Sequence, residues 1–338
     1  MRLLLLALFS FAIAGGLRAT AGLPAELAFG IISTESSVGL RLGFEPFLEK
    51  LSARLGVKVR GYYASDYAGV IEAMRFGKVH LAWLGNQAAI HAVDRAGAEV
   101  FLQSTGPDGS TGFHAVIVVP AKSPYADVDA LVANGAKLAF GNGDPLSTTG
   151  YLIPNALLWA PRQLDPRRAF KQVRNANHEV NALAVAHGQL DFATNNTESL
   201  SRLQQRHPVA AAKLRTVWTS PEIPRDPIVC RTDLPRELKA RLHAAFLAFG
   251  RIGPDAEAER RLLAGINDGW GPFLVADNRQ LLPFRRMEAQ RDLQVLEQEE
   301  RLAPEEKEKR LAAARAALRQ LDDYAALDRQ WNTVKEKP

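Results

Sequence analysis

The sequence predicts an α/β fold built as two lobes with a cleft between them. Short apolar runs alternate with stretches of helical periodicity along most of the chain. Two such series follow one another, with no long linker and no repeat at solenoid spacing between them. Alternation of this kind implies parallel sheets covered by helices. A chain of 338 residues is long enough for two domains.

Each element follows from its residues. Residues 27–33 read as a buried strand. Phe44, Phe47, Leu48, Leu51 and Leu55 then recur at helical spacing, with Glu45, Glu49, Lys50 and Arg54 on the other face. Residues 57–63 read as a strand, 67–76 as a helix, 79–83 as a strand and 87–95 as a helix. In the second series 115–119, 137–140, 170–173, 190–194 and 214–219 read as strands, and 148–159 and 181–187 as helices. Residues 228–231 read as a strand, followed by a helix with Leu238, Leu242, Phe246 and Phe249 on one face. The expected division puts 22–113 with 227–295 in one discontinuous lobe and 114–226 in the other, joined by crossing strands. Open α/β sheets bind ligands at the carboxyl ends of their strands.

Residues 296–338 form a helical tail. Pro304-Glu305-Glu306 is a good helix start, since Pro is tolerated there and acids suit the dipole. Leu311, Ala314, Leu318, Leu321 and Ala325 make a heptad-like seam. Two readings stand: a helix that pairs two chains into a homodimer, or one packed on its own subunit.

The N-terminus reads as a secretory leader, residues 1–21. Met1-Arg2 is followed by an uncharged apolar run from Leu3 to Ala14, and Ala19-Thr20-Ala21 offers small residues for cleavage after Ala21. The run is shorter than the roughly 20 apolar residues a bilayer crossing needs. Cys230 is the sole cysteine, so no internal disulfide forms, and none follows the leader to carry a lipid. In its apolar stretch Cys230 reads as a small buried hydrophobe. The formal charge of +5 comes from mixed signs without a basic stripe, which argues against a nucleic-acid partner.

One segment carries site chemistry: Phe140-Gly141-Asn142-Gly143-Asp144-Pro145-Leu146-Ser147-Thr148-Thr149-Gly150. A strand ends, a Gly-rich turn follows and hydroxyl residues open a helix. Free amides and the dipole at a helix start favour an anion, and Ser147, Thr148 and Thr149 add donors. Ser147 as an ordinary N-cap is the plain alternative. The segment lacks the Lys of a P-loop and the third Gly of a dinucleotide fingerprint. Glu198, in Asn195-Asn196-Thr197-Glu198, and Asp226, in Pro224-Arg225-Asp226-Pro227, fall at expected strand ends. Facing an anion site they would suit a ligand with an ammonium group. Read alone they are structural first, because acids beside helix starts and prolines are commonplace. Tyr67, after Ala64-Ser65-Asp66, and His178, before Glu179, are also structural when taken singly. The histidines show no metal-ligand spacing, no nucleophile–base pair is evident, and no cofactor is called for.

These residues carry a family resemblance from about residue 27 to 270. The chain resembles the periplasmic phosphonate-binding proteins of ABC transporters, of the two-lobed type II (venus flytrap) class. The matching motifs are Gly30-Ile31-Ile32-Ser33-Thr34-Glu35-Ser36, Asp66-Tyr67-Ala68-Gly69, Met74-Arg75-Phe76, Gly141-Asn142-Gly143-Asp144-Pro145 with Ser147-Thr148, His178-Glu179, Asn181-Ala182-Leu183-Ala184-Val185, Ala193-Thr194-Asn195-Asn196-Thr197-Glu198 and Asp226-Pro227-Ile228-Val229. The resemblance implies that Tyr67, Ser147, Thr148, Thr149 and His178 hold phosphonate oxygens. It implies that Glu198 and Asp226 hold the amine of an aminoalkylphosphonate such as 2-aminoethylphosphonate, and that Trp83 and Phe113 line the cleft. It also implies a location in the periplasm, a membrane permease as partner, and no catalysis. The dianion would be held by amides and hydroxyls without a buried counter-charge. Thr149 stands where the pattern has serine, Phe113 where it has tyrosine and Leu84 where it has an aromatic, so the preferred substituent is in question. Phosphate, phosphite, a phosphate ester or a sulfonate is the alternative ligand, and an enzyme acting on phosphonates the alternative class.

Overall fold

Leu27, Ala28, Phe29 and Ile31 are buried on both faces of their strand, as an uninterrupted apolar run inside a sheet must be. The computed structural model describes residues 24–266 and 269–335, so the expected leader lies outside the described residues. β1 (Glu26–Ile31) pairs in parallel with β2 (Lys58–Tyr63) and β3 (Leu81–Trp83). After β4 (Ala98–Thr105) the chain leaves this sheet through the short β5 (Gly112–Phe113). A second sheet holds β6 (Ala115–Pro120), β7 (Ala139–Asn142), β8 (Gln172–Asn175), β9 (Phe192–Asn196) and β10 (Leu214–Thr219). The chain returns through β11 (Ile223–Pro224), antiparallel to β5, and adds β12 (Pro227–Arg231) and β13 (Gly271–Val275) to the first sheet. The strand orders are β13-β4-β12-β3-β1-β2 and β10-β6-β9-β7-β8.

Both sheets are mixed, not parallel as the alternation implied. β12 runs antiparallel to β3 and β4, and β6 antiparallel to β9 and β10. Each is the first strand after a crossing, and it enters its sheet from the side where the parallel strands end.

The helix Ser37–Leu55 buries Phe44, Phe47, Leu48, Leu51 and Leu55, the stripe its spacing predicts. Ser36 caps its start by accepting from the Gly39 amide, and Gly56 ends it at φ 62°, a left-handed turn that glycine takes without a Cβ penalty. Behind it lies an aromatic lattice. Phe47 meets Phe249 edge-on at 5.1 Å, and Phe44 meets Trp270 at 5.4 Å. The second sheet has its own set, with Phe140 stacked on Phe192 at 4.5 Å beside Trp159 and Phe170. Such pairs contribute about 0.5–1.5 kcal/mol each beyond their burial.

Three strands of the second sheet begin two residues later than expected. Leu138, Phe170 and Leu190 are buried but precede the pairing residues: apolarity reported burial, not strand. The expected helix 148–159 is wound as π-helix at Thr148–Leu152 and Asn155–Trp159. Pro154 lies between them and has no N–H to continue an α-helical ladder. Single π turns of this sort are frequent at functional sites.

The tail helix, Pro304–Lys335, packs on the helix Leu282–Gln298 of its own chain. Ion pairs Arg286–Asp322 at 2.5 Å and Arg315–Glu297 at 3.1 Å fasten the two. Leu311, Ala314, Leu318, Leu321 and Ala325 are half-buried, while residues 312, 313, 315–317, 319 and 320 between them are exposed. The seam is therefore engaged within the subunit, and a homodimer through it has no support.

A candidate anion site between the lobes

The residues after β1, β2, β3, β7, β8 and β9 meet at a small cavity of ≈ 20 Å³. Sites for drug-sized ligands run to about 300–1,000 Å³, so this one excludes ligands of that size. Tyr67, Trp83, Phe113, Ser147, Thr148, Thr149, His178, Glu198 and Asp226 all line it. All nine residues singled out in the sequence are thus brought together. Leu84 is fully buried and is not part of the wall.

The three hydroxyls share one property. Ser147 Oγ accepts from the Gly150 amide at 3.0 Å, Thr148 Oγ1 from the Gln87 amide at 3.0 Å, and Thr149 Oγ1 from Asn196 Nδ2 at 3.0 Å. A hydroxyl has one proton to give and lone pairs to receive. With each oxygen already receiving from the protein, the protons are left to donate. Ser147 is thus an N-cap that also lines the cavity. The turn that holds it is glycine-dependent: a Cβ on Gly143 would lie 2.5 Å from Gly150 Cα.

His178 stands behind this row. Its Nε2 lies 3.4 Å from Ser147 Oγ and 3.3 Å from Asn196 Nδ2. Burial, with the positive charge of Arg202 added, pushes the imidazole down to about 4. The ring is neutral at pH 7 and carries a single N–H. Below pH 6.5 the unfolded chain takes up a proton that the folded chain refuses, so stability falls with pH until about 4. The variant His178→Asn is expected to flatten this slope by one proton, read from denaturant midpoints between pH 4 and 7. Tyr67 is buried as well, and its phenol is pushed far above the ordinary range, chiefly by desolvation.

Residues the sequence reading missed complete the wall. Thr34, Gly85, Asn196 and Arg202 line it too. Asn196 caps the helix Thr197–Arg206 through Oδ1 and spends Nδ2 on Thr149. Thr34 Oγ1 and Trp83 Nε1 are buried with no hydrogen-bond partner among the described residues. Arg202 puts a buried guanidinium into the wall, so the expectation of a site without a buried counter-charge is amended. Glu198 is not alone either: its carboxylate is 2.9 Å from Arg225 Nη2, both side chains being nearly buried.

The lobes are closed over the cavity. Apart from the Gln87–Thr148 bond, the Ser36 amide donates to Glu179 Oε2 at 2.9 Å, and Glu35 pairs with Arg206 at 2.6 Å and Arg202 at 3.3 Å. Gly85 leaves room for the Thr148 hydroxyl, since a Cβ there would be 3.1 Å from Thr148 Oγ1.

Residues 29–281 match the family model described as ABC transporter, phosphonate, periplasmic substrate-binding protein. The chain is 41% identical over 302 residues to the phosphonates-binding periplasmic protein of Escherichia coli K12, covering 89% of this chain and 86% of that one. It belongs to the periplasmic phosphonate-binding proteins of ABC transporters. A phosphonate-transporter binding protein from Pseudomonas aeruginosa superposes with a TM-score of 0.85 at 40% identity, over 90% of this chain and 99% of that one. A Prochlorococcus marinus protein in complex with methylphosphonate shares the fold at a TM-score of 0.68 and 19% identity, over 80% of this chain and 99% of that one. The fold is the type II periplasmic binding protein fold with C-terminal helices added. As a member of this family the chain is the phosphonate-binding component of an ABC importer. It works in the periplasm, serves a membrane permease and is not an enzyme. Among the described residues no cluster of His, Cys, Asp and Glu could hold a metal ion, and no helix is long and apolar enough to cross a membrane.

Proposed function

We propose that this phosphonate-binding protein takes a short aminoalkylphosphonate, 2-aminoethylphosphonate foremost. Tyr67, Ser147, Thr148, Thr149 and His178 hold the phosphonate, Glu198 and Asp226 hold the ammonium, and Trp83 and Phe113 pack along the stem. The observation that carries this reading is the row of three hydroxyls, each already accepting and left with a proton to give. Hydrogen bonds to a charged group contribute roughly 1.5–3 kcal/mol each. Several in a closed cleft support affinity tighter than micromolar, about −8 kcal/mol. The lobes, 22–113 with 227–295 and 114–226, close about the β5–β11 ladder. The leader is removed after Ala21, which the mass of the exported form checks.

A second reading, a phosphonate or other oxyanion without an amine, has the Arg225–Glu198 ion pair in its favour, because that pair already satisfies part of one carboxylate. Calorimetry over 2-aminoethylphosphonate, methylphosphonate, phosphate, phosphite and a sulfonate separates the two. The proposal expects 2-aminoethylphosphonate to bind at least tenfold tighter than the rest. Equal or tighter binding of methylphosphonate or phosphate would end it. Tyr67→Phe and Ser147→Ala are each expected to weaken every phosphonate by about tenfold, roughly 1.4 kcal/mol. Unchanged titrations for both would remove the phosphonate assignment of these residues.

A further inference from the structure

Glu198, Arg202 and Arg206 recur at a spacing of four along the helix Thr197–Arg206 and so lie on one face of it. Glu198 and Arg202 line the cavity, and Arg206 does not. The guanidinium of Arg202 has a second commitment, for its Nε is 3.3 Å from Glu35 Oε2. Glu35 follows β1 on the opposite lobe, and its side chain is 2% exposed. Arg206, 31% exposed, holds the same carboxylate at 2.6 Å. We propose that Arg202 divides one guanidinium between the bound phosphonate and Glu35, and so turns anion capture into lobe closure. This rests on the cavity being the phosphonate site.

The physical argument is one of differential binding. A ligand shifts a two-state equilibrium only by what it gains in one state over the other. Closing the lobes buries Arg202 and Glu35 together, and a buried ion pair by itself is close to neutral in free energy. Burial pushes the Glu35 carboxyl above its ordinary range even against the pull of both arginines. The clasp is thus weakly poised on its own. A dianion beside Arg202 adds an attraction that exists in full only when the lobes are closed. Arg202 lines the same cavity as Tyr67 and His178, which come from opposite lobes. Arg206 lacks this contact with the cavity and serves the clasp alone.

The test uses methylphosphonate, which has no amine and is indifferent to the assignment of Glu198. Calorimetry measures affinity and small-angle scattering follows closure for Arg202→Gln, Arg206→Gln and Glu35→Gln. Arg202→Gln is expected to bind about 30-fold more weakly and to stay open at saturating ligand. Glu35→Gln, which leaves the Arg202 charge to the ligand, and Arg206→Gln are each expected to lose less than fivefold. Equal losses in Arg202→Gln and Glu35→Gln would reduce Arg202 to a clasp residue and overturn the proposal. Binding by Arg202→Gln within threefold of the unaltered chain, or unchanged closure, would overturn it as well. Should Arg202→Gln fail to fold, the double variant with Glu35→Gln removes both partners of the pair. It is expected to bind about 30-fold more weakly than Glu35→Gln, and parity between the two would refute the idea. No methylphosphonate binding by the unaltered chain would instead overturn the reading of the cavity, and this inference with it.

Discussion

Gly143→Ala is expected to weaken phosphonate binding at least a hundredfold and to cost about 3 kcal/mol of stability, the upper range for overpacking. The added Cβ would lie 2.5, 2.6 and 2.7 Å from Gly150 Cα, C and O, all backbone atoms that cannot swing aside. The two glycines are also tied by the Gly143 amide donating to the Gly150 carbonyl at 2.9 Å. Thr194 Oγ1 donates to that same carbonyl at 2.8 Å, and Asn175 Nδ2 to the Gly143 carbonyl at 2.7 Å. The turn therefore has no free direction in which to relax. What moves is Gly150, and with it the amide that holds Ser147 Oγ at 3.0 Å. Gly188→Ala is the control. Its φ of 72° strains any side chain, but nothing lies within 4 Å of the added carbon. It is expected to cost about 1 kcal/mol and leave affinity unchanged. Denaturant midpoints and calorimetry on both variants check the contrast. Tight binding by Gly143→Ala would mean that the hydroxyl row does not depend on this turn.

The hydroxyl end of the cavity was legible because its cause is local. A strand end, a Gly-rich turn and three hydroxyls stand within eleven residues, so their proximity in the fold follows from their proximity in the chain. The arginines were not legible for the opposite reason. Arg202 looks like any residue on an amphipathic helix until the fold brings Glu35 against it from the other lobe. The i, i+4 spacing from Glu198 was a usable signal, since it sets both side chains on one face. Arg225 stands beside Asp226 in the sequence, and nothing local there marks it as the partner of Glu198. Among the strands, β4 was missed because Glu99, Gln103 and Ser104 break its apolar pattern, yet it lies inside the first sheet. Glu99 is met there by Lys239 at 2.6 Å. β13 opens with Gly-Pro and reads as a turn. It is an edge strand, where proline costs no ladder bond. The parallel expectation failed at β6 and β12, each the first strand after a crossing, and at β13, which joins the edge antiparallel to β4; sequence periodicity encodes none of these directions.

Glu198→Gln is expected to weaken 2-aminoethylphosphonate about a hundredfold, roughly 2.7 kcal/mol, while methylphosphonate stays within threefold. The substitution keeps the shape and removes the charge. An ammonium buried against the altered side chain would face a neutral amide in place of a carboxylate, and Asp226 alone would have to neutralise it. A ligand without an amine meets no such loss. The Arg225 ion pair sharpens the test. If Glu198 exists to neutralise Arg225, its removal leaves a buried guanidinium short of a counter-charge, and the whole lobe junction is destabilised whatever the ligand. Both phosphonates would then weaken together and the melting temperature of the ligand-free protein would drop. If Glu198 serves the ammonium, the two ligands part by about two orders of magnitude. Paired titrations on one variant therefore separate a carboxylate that reads the substrate from one that only balances its neighbour.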